Sequence, residues 1–490
     1  MSVSSRFITL ALILGASVAL SRTARAQTTG QEQTGTPGAS TSTPATSTAA
    51  ANTTPANGVT QQAASSDAAA AARIQALEDR IATLEKAEAK AKATAAAQPT
   101  VTATRDGLNI RSADNAFTFR LRGYVQSDAR FFGAAGPVAP GSSTFLLRRV
   151  RPIFEATAYK YFGLRLMPDF GNGQTVLYDA YVEAKPTAAL NLRVGKFKPP
   201  IGLERLQSAT DVRFIERGLP TSLVPNRDVG VQLFGDLAAS RIQYQVGAFD
   251  GAPDAAISDG DVSTGKDVVG RVFLRPFATI ASAPDVGLGV AGSSGTEQGT
   301  LTATSLPSYK TTGQLSLFRY RADGTAPNTV IAQGRRTRVS PQGYLYAGPV
   351  GVLAEYVRST QHVKRATSLA ALSTDAWQVS GSWLLTGEHE SYTGVAPNHP
   401  LDGGSTGGRG ALELVARYGV LTTDADAFPL FADPATQPRQ ARAAGIGLNW
   451  RLTRGIVFET NYERTRLYGS AAATVRSTEH AVLTRLQVGF

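Results

Sequence analysis

The sequence predicts an all-β chain: a transmembrane antiparallel β-barrel of about 16 strands, preceded by a disordered linker and a short helical coiled-coil segment. Three observations carry that expectation. From Thr104 to Phe490, segments of about ten residues alternate apolar and polar side chains, the period that sends neighbours to opposite faces of a sheet. Aromatic residues (Trp377, Trp383, Tyr418, Trp450, Tyr462) cap the apolar faces at strand ends, as interfacial girdles do. Tight turns such as Tyr159–Gly163 and Lys185–Thr187 alternate with long polar loops such as Asp250–Lys266 and Thr386–Gly410, the pattern of short periplasmic turns facing external loops.

The N-terminal elements come first. Met1–Ala26 has a basic start at Arg6, an apolar run from Phe7 to Leu20 and an Ala24-Arg25-Ala26 cleavage pattern, so it reads as a secretory signal peptide. Residues 27–67 are Thr, Ser, Ala, Gln, Gly and Pro with almost no large apolar residue, and are expected to be a disordered linker. Residues 68–98 turn to Ala, Glu, Lys and Leu, with Ile74, Leu77, Ile81 and Leu84 spaced by 3, 4 and 3. That seam suits a short periplasmic coiled coil or a frayed helical spacer, and two heptads do not decide between them.

Residues 104–490 form the barrel region. In Ala411–Tyr418, Leu412, Leu414, Ala416 and Tyr418 oppose Glu413, Val415 and Arg417; in Ile446–Arg451, Ile446, Leu448 and Trp450 oppose Gly447, Asn449 and Arg451. A soluble sandwich alternates in the same way, but the recurrent Arg and Glu on the polar face suit a wet lumen. At the end, Val482, Thr484, Leu486, Val488 and the terminal Phe490 share one face, which resembles the assembly signal of bacterial outer-membrane barrels. A strand pair with one turn and one loop takes roughly 45–50 residues, giving about 16 strands, enough to leave an aqueous channel.

Composition narrows the function. No cysteine is present, which excludes disulfides and thiolate chemistry, and no apolar run beyond the N-terminus reaches the ~20 residues of a membrane helix. The net charge is +11, a balance that suits nucleic acid, anionic lipid or small anions; an exported chain makes the nucleic-acid reading untenable. The four histidines (His362, His389, His399, His480) lack metal-ligand spacing, and neither a GxSxG elbow nor a phosphate-cradling GxxxxGK[ST] occurs. No catalytic residue, metal site or cofactor is expected. An acidic loop with Asp250, Asp254, Asp259, Asp261 and Asp267 is read as solvated.

One stretch is more specific. Residues 148–254 contain LRRVRPIFEATAYKYFGLRLMPDFGNG, LYDAYVEAKPTAALNLRVGKFKPPIGLERL, FIERGLP, PNRDVGVQLFG and YQVGAFDGAPD. This run resembles the phosphate-selective porin O and P family. The resemblance implies a trimeric 16-stranded barrel of the bacterial outer membrane, with loops folded into the lumen and a basic constriction that conducts phosphate or other small anions.

Alternation picks out the side chains that would line such a path. Arg149 and Arg151 share a face with Ile153 and Glu155; Arg165 opposes Leu164 and Leu166; Arg193 opposes Leu192 and Val194; Arg271 and Arg275 oppose Val272 and Leu274. A charge on the lipid face is costly at mid-membrane, so these should point inward. Residues 196–228 lack alternation, hold Pro199, Pro200, Pro220 and Pro225, and carry Lys196, Lys198, Arg205, Arg213, Arg217 and Arg227. This is the candidate constriction loop. The expected function is passive diffusion of small anions of the phosphate class, the expected partners being those anions, outer-membrane lipid and two further copies in a homotrimer; the alternatives are a barrel enzyme and an envelope-anchoring protein.

Overall fold

The computed structural model describes residues 59–96, 98–104, 107–133, 141–260, 264–401, 407–469 and 475–490. The predicted signal peptide and most of the predicted linker lie outside the described residues. The chain divides into two units, 1–97 and 98–490. In the first, helix α1 spans Val59–Ala96. It begins nine residues before the composition change at Ala68, where Gln61, Gln62, Ala63 and Ala64 are good helix formers. Its apolar seam of Ile74, Leu77, Ile81 and Leu84 is more than half exposed.

The second unit opens with a hairpin of β1 (Thr100–Thr104) and β2 (Gly107–Arg111). Sixteen strands then close into an antiparallel barrel. They are β3 (Thr118–Gly133), β4 (Thr144–Ala158), β5 (Phe162–Asp169), β6 (Val176–Ala184), β7 (Asn191–Phe197), β8 (Asp228–Leu237), β9 (Ile242–Phe249), β10 (Asp267–Leu274) and β11 (Asp285–Gln298). After a small separate hairpin of β12 (Ser308–Lys310) and β13 (Ser316–Arg319) come β14 (Ile331–Ala347), β15 (Val350–Arg365), β16 (Ser368–Leu384), β17 (Ala411–Thr423), β18 (Gln440–Arg451), β19 (Ile456–Tyr468) and β20 (Val475–Gly489).

Closure joins β20 to β3 from His480↔Gly133 to Gly489↔Tyr124, and Phe490 and Gly123 exchange backbone hydrogen bonds of 3.0 Å beyond the last pair. The hairpin continues along the same edge of β3, with Leu108 opposite Leu121. A barrel thereby leaves no open edge through the membrane, where an unpaired N–H or C=O would cost several kcal/mol.

The outer wall is an apolar band. Leu164, Val182, Val268, Leu288, Val290 and Ile446 are exposed on it, as are Trp377, Trp383, Tyr418, Trp450 and Tyr462. The inner wall is the reverse: Arg336, Arg451 and Arg485 are among the most buried side chains. Lipid outside and a polar lumen inside require this inversion of a soluble fold.

Counting strands fixes which loops share an end. The connections 159–161, 185–190, 238–241, 348–349 and 452–455 lie together at one end, with the C-terminus. Loop 385–410 lies at that end too, although its length and polarity placed it among the external loops in the sequence; periplasmic turns are usually short, but their length is not constrained when they fold inward.

Candidate permeation path

Loop 198–227, between β7 and β8, turns into the lumen. It carries Ile201, Leu203, Val212, Phe214, Ile215, Leu219, Leu223 and Val224, all nearly fully buried. Leu219, Leu223 and Val224 pack with Phe249 of β9 and with Val357, Ala376 and Leu421 of β15, β16 and β17. Each such side chain gains roughly 1.5–3 kcal/mol by leaving water, an incentive an external loop would lack. Within it sits α2 (Leu203–Leu206), a single turn.

Polar contacts then tie the loop across the barrel. Leu203 N–H donates to Glu355 on β15 (2.7 Å), Ile215 N–H to Asn461 on β19 (2.8 Å), and Asn449 of β18 donates to the Arg213 carbonyl (2.9 Å). On the near wall, Glu216 receives Arg148 of β4 and Arg130 of β3 (2.7 Å). Burial alone would raise the Glu216 pKa; the surrounding guanidiniums of Arg148, Arg149 and Arg130 reverse this and hold the carboxyl well below the ordinary range.

The loop leaves a cavity of about 1520 Å³ against the β3–β9 side. Its lining includes Asp254 and Ile257 of the long-loop end and Arg454, Gly455 and Phe490 of the short-turn end. Fourteen Arg and Lys side chains line it against five Asp and Glu, so the path is strongly positive.

These cations are held in two ways. On the strands, and at Arg227 where the loop enters β8, carboxylates, an amide oxygen and aromatic rings orient them. Arg122 makes a two-point contact with Glu155 (3.0 Å each), and Arg165 spans Glu155 (2.6 Å) and Asp179 (3.2 Å). Arg151 donates to Asp169 (2.8 Å) and to Tyr124 Oη (2.9 Å), and lies 3.9 Å from the Tyr178 ring. Arg193 donates to Glu183 (2.9 Å) and stacks over Tyr181. Arg227 takes Asp179 (2.6 Å), and Arg149 takes the Gln126 amide oxygen (2.6 Å).

For three cations within the loop, backbone carbonyls do the holding. Lys198 donates to the carbonyls of Leu206 (3.1 Å) and Gln207 (2.6 Å), Arg205 to Thr221 (2.5 Å), and Arg217 to Glu204 (3.0 Å) and Gln207 (2.8 Å). A carbonyl fixes a guanidinium in place without cancelling its charge. The Lys198 pKa is pushed well down, first by burial and then by the cations of Arg227 and Arg217. A buried group of like charges this close attracts an anion.

Eight of the twelve predicted side chains therefore meet in the cavity: Arg149, Arg151, Arg165, Arg193, Lys198, Arg205, Arg217 and Arg227. Four do not line it. Lys196 is buried against Asp259. Arg213 turns away to Glu413 (2.7 Å) and Glu390. Arg271 lies over the Phe273 ring at 4.3 Å. Arg275 pairs with Asp285 (3.1 Å) in the turn after β10. Alternation gave the right face for Arg271, but the face alone does not say which part of the lumen stays open.

Arg120, Arg122, Arg148, Lys310, Arg451 and Arg454 also line the cavity. Arg120 and Arg122 could have been read from the period-two run Arg120, Arg122, Tyr124, Gln126, Asp128. Arg148 breaks the alternation because a bulge opposite Gln126 and Ser127 inserts an extra residue in β4.

The rest of the inner wall is neutralised. Arg336 pairs with Asp267 (3.1 Å), Arg338 with Asp254 (2.6 Å) and Asp267 (2.9 Å), and Arg417 with Glu463 (2.7 Å); of the cavity-lining arginines, Arg451 is likewise paired, with Glu413 (2.9 Å). Asp254 and Asp267 of the acidic loop are thus engaged by arginines. Loop 385–410 reaches the constriction loop from the opposite end: Tyr392 Oη donates to the Leu203 carbonyl (2.7 Å), and Gln207 donates to the Tyr392 carbonyl (2.9 Å).

A family comparison agrees with this geometry. Residues 119–490 match the family described as phosphate-selective porin O and P. Porin O of Pseudomonas aeruginosa is 23% identical over 401 residues, covering 74% of this chain and 86% of its own. Among solved structures, the outer membrane channel DcaP of Acinetobacter baumannii aligns with a TM-score of 0.49 at 13% identity, over 78% of this chain and 99% of its own. An anion-selective porin from Comamonas acidovorans aligns with a TM-score of 0.48 at 12% identity, over 76% of this chain and all of its own (100%). With the family match running from β3 to the last residue of a closed sixteen-stranded barrel, this chain belongs to the phosphate-selective porin O and P family, a channel of the bacterial outer membrane.

Proposed function

We propose that the channel passes small anions of the phosphate class by passive diffusion, without catalysis. The observation that carries this reading is the lining itself: fourteen basic side chains against five acidic ones, with Lys198, Arg205 and Arg217 held by carbonyls alone. Arginine offers planar donors that match two phosphate oxygens at once, and neighbouring sites let an anion exchange one partner for the next. Asp179 and Glu155 orient guanidiniums and also keep any one site from binding too tightly to release.

The same reading takes the working unit as a homotrimer. The exposed seam of α1 supports it, since Ile74, Leu77, Ile81 and Leu84 would leave water by packing against the same seam of other copies.

Single-channel recording of the full chain in planar bilayers tests the proposal. A reversal potential near the chloride limit in a KCl gradient, with chloride current blocked by added phosphate, is the expected result. Cation selectivity, or an absence of current, would overturn it.

A further inference from the structure

Among the described residues, the outward face of the barrel carries a cluster of three arginines that no carboxylate answers. Arg442 of β18 and Arg466 of β19 are direct cross-strand partners, and Arg464 lies two residues along β19 on the same face. All three are exposed. They belong to the lipid-facing set, because Ile446 and Tyr462 continue the same rows below them and both are exposed. Tyr462 is an aromatic of the girdle, so Arg464 stands one step, roughly 6–7 Å, farther out along the strand.

The end of the barrel is also known. These residues lie near connections 424–439 and 469–474, opposite the end that holds the short turns and the C-terminus. In an outer-membrane barrel that is the external side, at the headgroup level of the outer leaflet.

Like charges directly opposite one another destabilise a sheet. Elsewhere on the outward face a charge is answered: outward-facing Arg358 of β15 donates to Asp375 of β16 at 2.7 Å and 3.0 Å. No carboxylate of the described residues pairs with Arg442, Arg464 or Arg466. Arg442 is instead steadied by Gln440 (2.7 Å) and by the Tyr468 ring at 4.8 Å, contacts that orient a guanidinium and leave its charge intact.

We infer that Arg442, Arg464 and Arg466 bind the phosphorylated headgroup of an outer-leaflet glycolipid. The chemistry fits: planar donors meet phosphate oxygens in pairs, in a headgroup zone of lower dielectric than bulk water. The acyl chains of the same lipid would lie along Ile446, Tyr462 and Val482 beneath. This site faces away from the lumen and rests on the membrane location alone, not on which ion the channel passes.

The test uses the full chain in detergent, with bis-phosphorylated lipid A as probe and native mass spectrometry as readout. The variant is Arg442→Gln/Arg464→Gln/Arg466→Gln, and single-channel conductance confirms that it is folded. Saturable lipid A binding that falls on the order of ten- to hundred-fold in the variant, and to the same level with dephosphorylated lipid A, supports the site. Equal binding by variant and parent overturns it. Displacement of the lipid by millimolar inorganic phosphate also overturns it, since the arginines would then form a site for free anions.

Discussion

Arg148 on β4 and Glu216 in the constriction loop form a two-point ion pair, Nε to Oε1 at 2.5 Å and Nη2 to Oε2 at 3.1 Å. Arg130 reaches the same carboxylate from β3. One loop acid thus pins the constriction to the wall and is itself silenced as a negative charge. Removing one partner of such a buried pair costs about 3–5 kcal/mol, mostly through the charge left behind. Glu216→Gln should free the loop and leave Arg148 and Arg130 uncompensated. The expected result is greater open-channel noise with a higher anion-to-cation permeability ratio, read from single-channel traces and reversal potentials; a quiet channel of parental selectivity would contradict it.

Arg217 tests charge against shape. Its carbonyl contacts to Glu204 and Gln207 hold it without cancelling it. Arg217→Gln should lower anion selectivity and weaken phosphate block by roughly two- to ten-fold, about 0.4–1.4 kcal/mol per bound anion. Arg217→Lys should retain the selectivity and lose part of the block, since an ammonium lacks the planar fork. Equal behaviour of the two variants would assign Arg217 a purely architectural part.

The seam of the barrel depends on Arg485 and Asp128. Their two contacts of 2.7 Å and 2.8 Å join β20 to β3, and both side chains are fully buried. Asp128→Asn should destabilise the fold by about 3–5 kcal/mol. Gel mobility of heated samples gives the readout: the variant's folded band should vanish at a lower temperature than the parent's.

Loop 385–410 predicts a pH effect. Glu390 and the Glu413 carboxylate of β17 share Arg213, and burial, only partly offset by Arg213, pushes the Glu390 pKa up. The folded chain therefore keeps a proton there at pH values where the unfolded chain has lost it. Stability falls as pH rises from about 4.5, the unfolded value, to about 7, the folded one. Thermal melts across that range should show the decline, and Glu390→Gln should flatten it; an unaltered slope would rule out Glu390 as the source.

Much of the fold was legible because a strand's faces are set locally. Leu164 and Arg165, or Leu192 and Arg193, are separated by one peptide unit, and a strand must send them to opposite sides. The girdle tyrosines and tryptophans followed from the same rule. Residues 196–228 stood out for a different reason, four prolines and six cations without alternation; the large apolar residues that hold loop 198–227 inward, such as Ile201, Leu203 and Phe214, show their part only once they are buried.

By itself the sequence determined the barrel, its lipid and lumen faces and the basic character of the lumen, because these depend on residues one or two positions apart. Tertiary structure alone decided which cations remain available. Arg213 and Arg217 are four residues apart in one loop, yet Arg213 meets Glu413 on β17 while Arg217 meets only carbonyls of its own loop. Whether a charge is cancelled depends on what the opposite wall presents at that height. That wall is supplied by strands some two hundred residues away, and their register is settled only when β20 closes onto β3.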